Sequence, residues 1–316
     1  MLRPHGRSIA SFPAAVCAAG LAWGAQGGAA PEGAAPAAGP PDAARTAALP
    51  PLDAATSLLV VAPHPDDETL CCAGVIQRVV RAGGRASIVW ITSGDASLLD
   101  LLLLERSLTG SSARLRELGA RRMGEARGAA ALLGVPLERQ LFLGYPDRGL
   151  ERLLSDHRDA LYTSRYTATA AVPYPDAVFP GHPYSGVSLE RDFAAVIERL
   201  RPTLVLAPSV RDSHPDHRAA GLLTLRAMAG RGELAAVRTW VVHGGEGWPG
   251  PRELSPGLPL TPAPLLCGMA LAPFELTPAE EDQKLAAVRA YPTQLATLAP
   301  FLLAFVRTTE LYSVPE

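Results

Sequence analysis

Two uninterrupted apolar runs, each stopped by proline and each followed within a few residues by histidine and aspartate, constrain this chain more than anything else in it. Residues 58–62 read Leu-Leu-Val-Val-Ala and give way to Pro63-His64-Pro65-Asp66-Asp67-Glu68. Residues 203–207 read Thr-Leu-Val-Leu-Ala and give way to Pro208, with Asp212-Ser-His214-Pro-Asp216-His217 close behind. Runs that alternate so poorly are strands buried on both faces, and such strands belong to parallel sheets. After the first run, residues 69–81 read as a helix closed by Gly83-Gly84. Acids at a helix start ordinarily cap free N–H groups, which accounts for one acid of the three or two at most. It leaves unexplained a histidine three residues before an aspartate at a strand's carboxyl end, where open α/β sheets hold their ligands.

The rest of the chain alternates in the same way. Strands are predicted at 86–92, 139–144 and 237–243, and helices at 114–133, at 187–200 and from Pro278, with Thr277 as its cap. The fold class expected is therefore α/β, a single Rossmann-like domain with a mainly parallel, doubly wound sheet. In such a sheet both histidine loops land on one edge. Imidazole and carboxylate together suit a borderline cation such as zinc, and three protein ligands with a fourth position for water mark a catalytic site. Asp95, after the second strand, and Asp147, after the third, end on that edge too, and His243 can reach it.

These stretches resemble the LmbE/PIG-L family of zinc-dependent N-acetylglucosaminyl deacetylases. The run His64-Pro-Asp-Asp-Glu68 is similar to the family's Ala-His-Pro-Asp-Asp-Glu signature, with Pro63 in place of the alanine. His214-Pro-Asp216-His217 matches the second signature. Arg122, Glu125, Ala129 and Leu133-Gly-Val135 fit the helix between them, Leu143-Gly-Tyr-Pro-Asp147 fits the next strand end, and Lys284, Tyr291 and Gln294 fit a C-terminal helix. Five ordered landmarks from about residue 56 to 297 are more specific than either short motif. The resemblance implies an LmbE-like fold with Zn2+ held by His64, Asp67 and His217. It implies Asp66 as the general base, His214 as the group that polarises the carbonyl or protonates the leaving amine, and Asp216 as the residue that orients His214. Arg122 and Asp147 are implied as substrate contacts, with Asp95 a further candidate from its position. The expected reaction is hydrolysis of the acetamide of an N-acetylated amino sugar, with release of acetate. Hydrolysis of another amide or ester on the same metal, or carbohydrate binding without turnover, are the alternatives.

Composition supports a globular core, at 48% hydrophobic and 19% charged residues. A formal net charge of −2 and few aromatic residues give no reason to expect nucleic acid as a partner. Arg3 and Arg7 precede a weakly apolar run at 9–23 and small residues at 24–27, the pattern of a secretory signal over residues 1–27. The run is too short to span a membrane, which takes about 20 apolar residues. Residues 28–55, rich in Ala, Gly and Pro, read as a linker, and 56–316 as the deacetylase-like domain. Secretion or a periplasmic location is expected, the alternative being a cytoplasmic protein with a disordered tail. Cys71 and Cys72, too constrained by adjacency for an ordinary bridge, and Cys267 read as small buried hydrophobes. The apolar stretch 98–104 is expected to pack on the core or in a subunit contact, or to form a lid for a lipid chain or hydrophobic aglycone, and Tyr162, Tyr166, Tyr174 and Tyr184 are candidate rings for stacking on sugar.

Overall fold

A computed structural model describes residues 47–97 and 111–316 of the chain. The expected signal peptide, most of the expected linker and the stretch 98–104 lie outside the described residues.

Seven strands form one sheet: β1 (Ser57–Ala62), β2 (Arg85–Thr92), β3 (Gln140–Tyr145), β4 (Leu204–Pro208), β5 (Val237–Trp240), β6 (Leu271–Glu275) and β7 (Thr309–Ser313). Their spatial order is β3-β2-β1-β4-β5-β7-β6. The first five in that order run parallel, with Leu58 paired to Ala86 on one side and to Leu204 on the other. β7 is antiparallel to both β5 and β6, a mixed edge that no apolar run in the sequence announces. Every residue of β1, β3 and β4 is buried, as expected for strands covered on both faces. Each such Leu or Val contributes about 1.5–3 kcal/mol of burial.

The described helices longer than one turn are α1 (Asp67–Arg81), α2 (Ser112–Leu132), α4 (Gly186–Leu200), α5 (Pro215–Gly230), α6 (Pro278–Val288) and α7 (Pro292–Leu303); the single turn Leu150–Leu153 is α3. α6 packs against both α1 and α2, and α4 packs on α5. Thr277 closes a complete capping box at the start of α6, as its sequence predicts. Among the described residues no helix is long and apolar enough to cross a membrane.

Four local expectations are corrected, the simplest being Cys267, which is exposed rather than buried. β5 stops at Trp240 rather than at 243, because the Val242 and His243 N–H groups donate to the Asp212 carboxylate, each at 3.0 Å, instead of continuing the ladder. Cys71 and Cys72 are buried, but their sulfurs are bonded to each other across a Cα separation of 3.8 Å, shorter than disulfides usually span. Three of the four loop tyrosines serve the scaffold, whereas Tyr166 is half-buried. Tyr162, Tyr174 and Tyr184 are buried, Tyr174 donating to Asp95 at 2.6 Å and Tyr184 to the Gly144 carbonyl at 3.1 Å.

Candidate metal centre and active site

The chain runs outward from β1 to β2 and β3 on one side and resumes with β4 and β5 on the other, so β1 and β4 flank the point where strand order reverses. Ligands of open α/β sheets bind at that crevice. A cavity of about 170 Å³ opens there, lined by His64, Asp66, Asp67, Arg122, Asp147 and His214 among others. Five successive parallel strands each deliver a loop toward it.

The loop after β1 is anchored by the Pro63 carbonyl, which accepts from the Thr92 amide at 3.0 Å and hydroxyl at 2.9 Å. Asp67 turns back to accept the His64 N–H at 2.8 Å. Asp66 is the N-cap residue of α1, yet its side chain makes no capping bond, so its carboxylate is left to the cavity. Its backbone has φ 121°, a region that a residue with a Cβ occupies only at a cost of about 1–3 kcal/mol.

Both histidines expected to bind metal are backed by carboxylates. His64 Nδ1 lies 3.4 Å from Asp67 Oδ2, while its Nε2 lies 3.3 Å from Asp216 Oδ2 and 3.3 Å from Asp147 Oδ1. His217 Nε2 lies 3.3 Å from the same Asp67 oxygen, and its Nδ1 is 3.2 Å from Asp212 Oδ2. His217 Nε2 is buried without a hydrogen-bond partner despite that approach. One nitrogen from each of His64, His214 and His217 falls within 4.8 Å of the others, and so do donors of His64, Asp147 and Asp216.

The donor set fits a small divalent cation. Around zinc, with bonds of about 2.0–2.1 Å, adjacent tetrahedral ligands lie about 3.3 Å apart, the separation seen from Asp67 to each imidazole. A histidine whose far nitrogen meets a buried carboxylate is also the usual metal-ligand arrangement. Charge points the same way. Asp66, Asp67, Asp147, Asp212, Asp216 and Glu68 are all buried around these rings, and Arg122 is the arginine packed among them. Burial, then the Asp67 charge, pushes Asp66 up to about 8, against the pull of Arg122. Burial opposes charge on His217, but Asp212 and Asp67 outweigh it and lift the ring to about 9. His64 is raised in the same way by Asp147, Asp216 and Asp67 in spite of burial. Buried carboxylates outnumber the buried cationic side chains around the pocket, the imbalance that a bound cation would offset.

His214 is the exception. Burial and then the neighbouring rings of His64, His217 and His243 hold it well below the usual imidazole range. Its Nδ1 accepts the Asp216 N–H at 3.2 Å, which leaves the proton of the neutral ring on Nε2. The Asp216 carboxylate does not orient His214, because the first turn of α5 points it elsewhere: it accepts the Arg148 and Leu150 N–H groups at 2.6 and 3.1 Å and faces His64. Asp95 is likewise corrected as a direct substrate contact. It is fully buried, accepts from Tyr174, Ser93 and the Asp147 N–H, and so stands behind Asp147 rather than in the cavity.

Arg122 and Asp147 do reach the cavity. Arg122 donates to the Gly94 carbonyl at 2.9 Å and the Pro65 carbonyl at 3.3 Å, and lies 3.8 Å from Asp66 Oδ2. Gly94 has φ +70°, and a Cβ there would sit 2.5 Å from Arg122 Cζ. Gly94→Ala is expected to lower stability by about 1–3 kcal/mol and to dislodge Arg122. Urea unfolding checks it, and an unchanged midpoint would contradict it.

One site residue, Asp212, had no role from sequence. Asp212 holds the His214 N–H at 2.8 Å as well as His217, Val242 and His243, joining the loops after β4 and β5. Its position five residues before His217 was the available signal. His243 does line the cavity, its ring centroid 5.0 Å from that of His214 and 4.7 Å from that of His217, stacked on Phe301.

Fold and site together define a doubly wound α/β protein with the donor set of a divalent cation at its switch point. The particular lineage follows from comparison: residues 59–228 match the model of PIG-L, the GlcNAc-PI de-N-acetylases, and the chain belongs to that family. It is 32% identical over 206 residues to a 1D-myo-inositol 2-acetamido-2-deoxy-alpha-D-glucopyranoside deacetylase of Actinosynnema mirum, covering 65% of this chain and 66% of that one. The match to the enzyme of the same name from Kribbella flavida, at 30% identity, covers 62% of this chain and 59% of that one, so the chain spans less than two thirds of the length of these relatives. Among solved structures, the N,N'-diacetylchitobiose deacetylase of Pyrococcus horikoshii shares the fold at 19% identity with a TM-score of 0.50, over 81% of this chain and 82% of that one.

Proposed function

We propose that this pocket hydrolyses the acetamide of an N-acetylated amino sugar and releases acetate, with zinc held by His64, Asp67 and His217. The observation that carries the reading is the uncapped Asp66 carboxylate beside two imidazoles that share one Asp67 oxygen and are each backed by a buried acid. His214 has no such acid behind it, since its Nδ1 accepts a backbone N–H, and this favours Asp67 as the third ligand. When bound, zinc supplies a Lewis acid that polarises a carbonyl and loosens the protons of water at neutral pH.

The chain's own groups do the rest. Asp66 collects the proton of the attacking water, which Asp67 cannot do while engaged with both imidazoles, and returns it to the sugar's amine nitrogen as the C–N bond breaks and acetate leaves. Neutral His214 donates its Nε2–H to the acetyl oxygen as charge develops there. Asp216 and Asp212 hold His64 and His217 in one tautomer each. Asp147 and Arg122 face the cavity, where they are suited to sugar hydroxyls. The names of the family's relatives support an amino-sugar substrate, and the test is acetate release from free, diacetylated and inositol-linked N-acetylglucosamine by zinc-loaded protein. Zinc bound with no acetate from any of them would overturn the reading in favour of carbohydrate binding.

We also infer export, with cleavage within the first 27 residues, from the basic start and small residues at 24–27. Amino-terminal sequencing of the protein recovered from its producing cells checks this; Met1 at the start of the exported protein contradicts it.

A further inference from the structure

We infer that Tyr291 and Gln294, at the start of α7, are positioning residues for the Asp66 carboxylate, so that the active site is completed from beyond the family-matched residues 59–228. The inference builds on the reading of Asp66 as the general base.

A side chain can be aimed by an unfavourable backbone only if its neighbours stop that backbone from relaxing. For Asp66, with φ 121°, relaxation means rotation of the peptide between Pro65 and Asp66. Both polar ends of that peptide are gripped. The Pro65 carbonyl accepts from Gln294 Nε2 at 2.8 Å and from Arg122 Nη2 at 3.3 Å. The Asp66 N–H donates to Glu68 Oε2 at 3.3 Å.

Glu68 is in turn fixed on every side. It is fully buried and accepts from Trp90 Nε1 at 2.8 Å, from the Thr69 hydroxyl at 2.6 Å and from the Tyr291 hydroxyl. Tyr291 and Gln294 are themselves fully buried. The turn that carries them is tied to α2 by the Thr293 hydroxyl, which donates to Glu125 Oε2 at 2.6 Å. Tyr291 occupies the N-cap position of α7 but makes no side-chain cap, and its hydroxyl goes to Glu68 instead. None of Glu68, Tyr291 and Gln294 lines the cavity, so they act on it only through the loop. A buried carboxylate so completely engaged, facing away from the pocket, is accounted for by holding this peptide.

The test uses the zinc-loaded full chain carrying Tyr291→Phe, Gln294→Met or both. Each single change is expected to lower kcat for acetate release about 10–100-fold, the scale of a small misplacement of a catalytic group, with KM and zinc content unchanged. The double variant is expected to fall short of the product of the two, since both grips act on one peptide. Crystals of the double variant are expected to have Asp66 at negative φ. A lowered melting temperature with kcat per zinc intact would reduce both residues to scaffold and overturn the inference. If the unaltered protein releases no acetate, it is the functional reading that fails; Asp66 then still decides the clamp, and a retained positive φ in the double variant overturns it.

Discussion

Asp66→Asn is expected to lower kcat for acetate release about 10²–10⁴-fold, the usual contribution of a positioned general base, with the metal content of the protein unchanged. The substitution is nearly isosteric, and asparagine tolerates positive φ better than most residues, so the strained turn at φ 121° should survive it. Nothing in α1 depends on the lost charge, because the Asp66 side chain caps no N–H. The change therefore removes the capacity to take a proton and the charge that faces Arg122 at 3.8 Å. Acetate release and metal analysis on the same sample check it. Turnover at the unaltered rate would move the base role to another acid at the cavity, of which Asp147 is one.

His217→Ala is expected to abolish stoichiometric zinc binding and, with it, turnover. The ring is completely buried between Asp67 and Asp212, so its loss also removes the imidazole partner that two buried carboxylates face at 3.3 and 3.2 Å. Breaking a buried ion pair by removing one partner costs about 3–5 kcal/mol, and the metal-free variant should unfold at correspondingly lower denaturant. Asp212→Asn gives the graded control. Because Asp212 touches the ring's far nitrogen, its loss is expected to weaken zinc about 10–100-fold without eliminating it. Zinc titrations of both variants measure the order, and full zinc occupancy in His217→Ala would remove that residue from the ligand set.

The fold was legible because its signals are local. Residues 58–62 and 204–207 are apolar without alternation, and in the folded protein they are buried on both faces beside one another. Proline stops, the Thr277 box before α6 and the glycines after α1 likewise act over a few residues. The mixed edge was not legible, since β6 is half exposed and contains Pro273 and so carries no buried-strand pattern.

For the site, the chain's local order determined which residues arrive at the pocket. A histidine and acids placed directly after a buried parallel strand are delivered to the sheet's ligand edge whatever else the chain does, as His64, Asp66, Asp67, Asp147, His214 and His217 are. Which way each carboxylate faces was decided by packing between distant segments. Asp216 turns to His64, 152 residues away, rather than to His214 beside it; Asp95 withdraws to Tyr174; Glu68 is claimed by Tyr291, 223 residues further on. A buried acid goes to whichever donors the fold brings within about 3 Å, because leaving it without them is costly, and those donors come from other strands and helices whose approach no short stretch of sequence encodes.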